Sequence, residues 1–452
     1  MNKPHSTDKH INKLIEFRQA LYQHGFTSLR DAQLELLDAL LLSGPIRSFP
    51  ELSLCPAFRR KWPSAYAAIE DGCQDTGWLR RYLCDQVPAQ GVRVFALDTT
   101  AWPRPSAPTL PDRQYVHSPS RRIGGSPTVA GYPYSMLSWV AQERSSWALP
   151  MDIERIDSSR DMVEVGVAQV KQLCRRRNDQ RNGLNVIVGD GSYGNHRFLR
   201  PLRDWPCGLL VRLRRDRVLF GEPPSYSGRG RPKVHGERFA FKEPESWGEP
   251  EQHLEFSDPK WGKVDIQYWS NLHAHQAHDT PFGVLRVCVH LERERPPQPL
   301  WLGWQEPALS LPKGPAWPAY VLWRYYQLRW PIEPSIRWRK QQLHWTMPQF
   351  QSPEASDRWT MLVSLAQWTM YLARPVVEDS PLPWQRAQSD LTPGRVQQGL
   401  GAIFTQIGTP AGPPKTRGKS PGWPKGRPRD RPVRYPVVRK GPKRPKSRRK
   451  TA

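Results

Sequence analysis

Three acidic residues have the types and the setting to do chemistry. Two apolar runs end in an aspartate, VRVFALD at Asp98 and LNVIVGD at Asp190, and Glu333 sits between Pro331 and Pro334 in RYYQLRWPIEPSIRWRKQQL, residues 324–343. In α/β sheets, ligands and catalytic groups collect where strands end. Either aspartate alone would read as a turn former or a helix cap. Joined to Glu333, three carboxylates from separate parts of one domain can hold two divalent cations about 4 Å apart. Such a pair suits phosphodiester cleavage, one ion activating water or a 3′-hydroxyl and the other stabilising the leaving oxygen.

The prolines beside Glu333 have a local meaning. Proline is tolerated in the first turn of a helix and damages a helix interior. The sequence therefore predicts a kink, a new helix starting near Pro331, and Glu333 in its first turn, where the helix dipole favours an ionised carboxylate. One unbroken helix over residues 320–343 would contradict this.

The elements that must position these acids follow from periodicity. Apolar spacing of 3 and 4 in INKLIEFRQALYQHGF and DAQLELLDALLLSG predicts a helical N-terminal domain, residues 1–90. From residue 91 the period changes: VRVFALD, TVAGYPYSMLSWVAQ and WALPMDIERI read as strands, RDMVEVGVAQVKQLCRRR as a helix, and LNVIVGD and CGLLVRLRRD as two further buried strands. Strands with crossover helices argue an α/β fold with a mixed sheet, residues 91–216. Residues 217–318 read as a β-rich insertion, and helical spacing resumes over 319–409. Residues 410–452 are Pro, Gly, Lys and Arg with almost no acid, a composition expected to stay disordered as a basic arm.

Composition narrows the partners. The 452 residues carry 67 Lys and Arg against 42 Asp and Glu, a formal charge of +25. A surface of that kind attracts polyanions in a salt-dependent way, nucleic acid first among them. No uncharged apolar run is long enough for a spanning helix or a signal peptide, so a cytoplasmic protein without a membrane partner is expected. The six cysteines form no CxxC pair, which argues against a zinc finger or a disulfide framework. GRGRPK, residues 228–233, places Arg229 and Arg231 in an extended loop of the sort that enters a narrow minor groove. HAHQAH, with His273, His275 and His278, reads as a loop between strands. The 20 tryptophans, Trp330 and Trp338 among them, read as core.

Around Glu333 the residues fit Y-x-x-R-x-x-x-E-x-x-x-x-x-x-K without a gap, as Tyr326, Arg329, Glu333 and Lys340. This spacing, after two strand-end aspartates in order, resembles the signature of bacterial insertion-sequence transposases of the DDE superfamily, the branch with a β-rich insertion before its glutamate. LDTTAWPRP around Asp98, GDGSYGNHRFL around Asp190 and HWTMPQFQSPEASDRW after the signature extend the resemblance from about residue 30 to the tail. It implies an RNase H-like core in which Asp98, Asp190 and Glu333 coordinate two Mg²⁺ or Mn²⁺ ions. It also implies that Tyr326, Arg329 and Lys340 meet phosphates of the transposon end, roles that suit a hydroxyl donor, a bidentate fork and a point charge. Double-stranded DNA, as element ends and target, is then the partner, bound through the helical N-terminal domain of residues 1–90, the insertion and the basic arm, and a synaptic homodimer or larger assembly is expected. Two other readings compete: a transposase-derived DNA-binding protein that has lost cleavage, and a stand-alone RNase H-like nuclease.

Overall fold

The structure is a computed structural model that describes residues 4–117, 127–141, 145–177, 183–226, 228, 230–290, 298–308, 317–416, 422, 424–428 and 431–440. Its helices are α1 (Pro4–Ala20), α2 (Arg30–Leu42), α3 (Trp62–Glu70), α4 (Thr76–Asp85), α5 (Met162–Arg176), α6 (His196–Leu199), α7 (Ala319–Gln327), α8 (Ile332–Gln341), α9 (Pro353–Ala373) and α10 (Pro393–Ile407). The first six strands are β1 (Gly91–Pro103), β2 (Gln114–His117), β3 (Thr128–Val140), β4 (Ala148–Arg155), β5 (Gly183–Gly189) and β6 (Cys207–Leu213). The region expected to be an insertion supplies β7 (Val218–Phe220), β8 (Arg238–Ala240), β9 (Gln252–Asp258), β10 (Gly262–Ala274), β11 (Ala277–His290) and β12 (Leu300–Gln305).

All twelve strands join one mixed sheet in the order β2-β3-β1-β5-β6-β12-β11-β10-β7-β8, with β4 also on β3 and β9 also on β10. Its centre, β4-β3-β1-β5-β6, is antiparallel on the β4 side of β1 and parallel on the β6 side. That is the RNase H-like arrangement. The parallel strands β1 and β5 are apolar on both faces because crossovers and helices cover them: Val94, Phe95, Ala96 and Leu97, and Val186, Ile187 and Val188, are all buried. β12 returns antiparallel to β6, so the β-rich region extends the same sheet.

Two local devices fix the helices behind the site. Asp161 caps α5, accepting from Val163 N and Glu164 N while Glu164 reaches back to Asp161 N, a reciprocal capping box. Ser352 caps α9 with Pro353 in its first turn. That 21-residue helix is buried nearly throughout, because one side meets the sheet and the other meets the N-terminal helices. Trp368 Nε1 donates to Pro150 O of β4 at 2.7 Å, and Trp359 packs edge-on against Phe49. Arg18 of α1 pairs with Asp38 of α2 inside this helical layer, at 2.5 Å, and also donates to Gly408 O. The N-terminal helices therefore share one apolar core with the sheet and with α9 and α10.

One stretch of the basic tail is held by the sheet. Tyr435 N donates to Pro108 O at 2.8 Å and Val438 N to Arg113 O at 2.7 Å, setting Val438 parallel to Gln114 at the start of β2. Lys440 Nζ donates to the carbonyls of Asp157 and Arg160. No helix among the described residues is long and apolar enough to cross a membrane.

Candidate active site

The register of two parallel strands sets the two aspartates side by side. Leu97 of β1 pairs with Gly189 of β5, the residues immediately before Asp98 and Asp190. The strands then part company. β5 ends at Gly189, and Asp190 opens a turn in which Ser192 N donates to its Oδ1 at 2.9 Å and Ser192 Oγ to its Oδ2 at 3.3 Å. β1 instead continues to Pro103 along β3. Asp98 thus lies inside a strand, contrary to the expectation that the strand ends there. The polar residues after the apolar run still have a ladder partner on the β3 side. A close approach steadies the Asp190 turn: Tyr193 is buried beneath it, and a Cβ on Gly166 of α5 would come within 2.8 Å of the Tyr193 ring.

Glu333 arrives from the other side. α7 stops at Gln327, residues 328–331 form turns, and α8 starts at Ile332 with Glu333 in its first turn. The break that the two prolines predict is therefore present. Arg329 lies in it and bridges two acids: its Nη1 donates to Asp98 Oδ2 at 3.1 Å and its Nη2 to Glu333 Oε1. Burial pushes the Asp98 carboxyl up to about 6; the Thr99 N–H and the Arg329 guanidinium pull the other way, and the carboxylates of Asp190 and Glu333 add to the rise. Asp98 is thus within electrostatic reach of both other acids.

Tyr326 lies within electrostatic reach of Asp190, and Lys340 is held further along β1. Burial raises the Tyr326 hydroxyl above its ordinary range, against the pull of Arg329 and Arg212 and with the push of Asp190. Lys340 Nζ donates to Thr100 Oγ1 at 2.7 Å and to Ala101 O at 2.9 Å, on the continuation of β1 past Asp98. Burial, helped by Arg339, lowers its pKa to about 8. Trp330, read from sequence as core, is 58% exposed, because it projects from the break between α7 and α8. Lys260 Nζ lies 5.9 Å from its ring.

Sequence reasoning misses Arg212 and Thr100. Arg212 is a polar position in the otherwise apolar run of β6, and Thr100 shares a strand face with Asp98, which becomes visible only once β1 is known to run on. Arg231 lies on an exposed stretch remote in sequence from the acids, after Gly228 and Gly230, both at positive φ. Arg229 lies outside the described residues. The three histidines of HAHQAH belong to the β10–β11 hairpin and pack with His235 and Phe220. His235 Nδ1 is 3.0 Å from His273 Nε2, and the His235 ring stacks 4.6 Å from His275.

Among the described residues, one group of three metal-ligating side chains already has its ligand atoms close together, and it is not Asp98, Asp190 and Glu333. Ligand atoms of His253, Glu255 and Asp265 lie within 4.8 Å of one another on β9 and β10. Lys263 at 2.8 Å from Glu255 and Arg286 at 3.4 Å from Asp265 already balance both carboxylates, so a cross-strand ion-pair network accounts for it.

Comparison with known proteins gives two findings. A protein-family model described as DDE superfamily endonuclease matches residues 21–271, more than half of the chain, a span that contains Asp98 and Asp190 and ends before Glu333. The piggyBac transposase, solved by cryo-EM as a synaptic complex with hairpin DNA, is similar at a TM-score of 0.42 and 12% identity over 88% of this chain and 76% of that one. No curated protein matches.

Proposed function

The chain belongs to the DDE superfamily endonucleases, and from that premise we propose that it is a DNA transposase: it binds the terminal inverted repeats of a mobile element, cuts their strands, and joins the 3′ ends to target DNA. The observation that supports this reading is that three acids share one neighbourhood: Asp98 and Asp190 follow paired residues of neighbouring strands, and Glu333 is linked to Asp98 through Arg329. As a donor set, Asp98, Asp190 and Glu333 offer only hard carboxylate oxygens, which fits Mg²⁺ or Mn²⁺. Such ions, when bound, supply an activated water or 3′-hydroxyl and neutralise charge at the phosphate.

The chain's own groups do the positioning. The Asx turn around Asp190 and the Thr99 N–H on Asp98 hold both carboxylates in fixed orientations. Arg329, Arg212, Tyr326 and Lys340 line the approach with donors that suit phosphate oxygens. A lysine already partly neutral at pH 8 gains charge when a phosphate displaces Thr100 as its partner, so DNA binding would raise its pKa again. The N-terminal helices, the Arg231 loop and the basic tail would hold the rest of the duplex, and two or more copies would bring the ends together.

The test incubates the purified protein with the ends of its own element and Mg²⁺. Glu333→Ala is expected to lower strand cleavage and transfer about a hundredfold or more while end binding persists. Cleavage unchanged in the variant would refute the assignment of the acids.

A further inference from the structure

A guanidinium stands between two of the acids. Arg329 spans from Asp98 Oδ2 to Glu333 Oε1, and its side chain is only 18% exposed. Asp190 is not among its hydrogen-bond partners, and is occupied instead by its own turn through Ser192. A carboxylate lone pair that accepts from Arg329 is not free for a cation, and a divalent ion beside a guanidinium would add like-charge repulsion. In this arrangement the two positive species compete for the same oxygens. Arg329 also has the means to leave, since it lies in the turn between α7 and α8 and belongs to neither helix. The group that would receive it is a phosphate, which a planar fork of donors binds in two-pronged fashion.

We propose that Arg329 is an exchangeable cation: in the free protein it holds Asp98 and Glu333 together, and a DNA phosphate draws it away, so that DNA binding and metal entry favour each other. The proposal rests on the carboxylate reading given above. The coupling is reciprocal, because any factor by which DNA tightens metal binding is the factor by which metal tightens DNA binding. A protein built in this way keeps Asp98 and Glu333 paired without metal and binds the ions more tightly once a phosphate backbone is in place.

The test measures Mn²⁺ binding to the full chain by titration calorimetry without DNA, and binding of a short synthetic duplex by fluorescence anisotropy with and without Mg²⁺ at fixed ionic strength. Arg329→Ala and Arg329→Gln, each verified as folded by thermal unfolding, are expected to bind Mn²⁺ about tenfold more tightly than the wild type, since the competing charged hydrogen bonds are gone. Mg²⁺ should tighten duplex binding by the wild type and do so less in both variants. Unchanged or weaker Mn²⁺ binding by the two variants overturns the exchange and leaves Arg329 as a brace between the acids. Mn²⁺ affinity indifferent to Asp98→Asn and Glu333→Gln overturns the carboxylate reading itself, and the exchange falls with it.

Discussion

Arg339 is a residue whose cost is plain and whose return is not. It is fully buried one position before Lys340, and only its Nη2 finds partners, Met136 Sδ at 2.8 Å and Ser335 Oγ at 3.5 Å. Its Nε and Nη1 have none among the described residues. Burial lowers its pKa to about 9, yet at neutral pH an arginine remains charged, so the penalty falls on stability. Arg339→Met keeps the volume and removes the charge, and is expected to raise unfolding stability by about 1–4 kcal/mol, read from urea denaturation. A loss of stability instead would show that the guanidinium is compensated in the folded protein. Lys340 behaves differently: it is also largely buried, but two hydrogen bonds to β1 satisfy it. Of the side chains around the acids, those with a motif spacing are legible from the sequence. Arg212 and Arg339 are not, because what singles them out is who surrounds them, and those neighbours include residues far away in sequence, Tyr326 for Arg212 and Met136 for Arg339.

Among the elements, legibility follows the range of the interaction. The break before Glu333 is readable because proline acts on its own backbone, and the helices α5 and α9 are readable from period and cap. The sequence alone makes β1 too short. Its apolar run ends at Asp98, but a strand lasts as long as a neighbour pairs with it, and β3 pairs through Pro103. The residues after 217, which read in the sequence as an insertion, add their strands to the same sheet, because β12 pairs with β6. The cap of α5 ties one such element to the site, since Asp161 also accepts from Arg197 at the head of α6, just after the Asp190 turn. Asp161→Ala is expected to cost about 1 kcal/mol of stability and to lower activity through a loosened Asp190 turn. Asp161→Asn, which keeps a capping oxygen, should recover most of the stability. Equal loss in both variants would mean that the ion pair, and not the cap, is what matters.

For the whole molecule, the +25 charge is unevenly spread, with the C-terminal arm almost free of acid. Deleting residues 415–452 is expected to weaken duplex binding and to flatten its salt dependence, by about 0.9 in the log–log slope for each phosphate that the arm would otherwise neutralise. An unchanged slope would remove the tail from the DNA-binding surface. The deletion has a second effect, however, that follows from the docking of Tyr435 and Val438 beside β2. β2 is the last strand on its side of the sheet, and an unpaired edge strand is a template on which another chain can add. Removing residues 431–440 bares that edge, while ending the chain at residue 440 leaves it covered and still takes away the final run of basic residues. The longer truncation should therefore form soluble aggregates that the shorter one does not, detectable by light scattering at equal concentration. A segment that reads in the sequence as a mere carrier of charge is, over its docked stretch, a cover on the β2 edge of a twelve-stranded sheet.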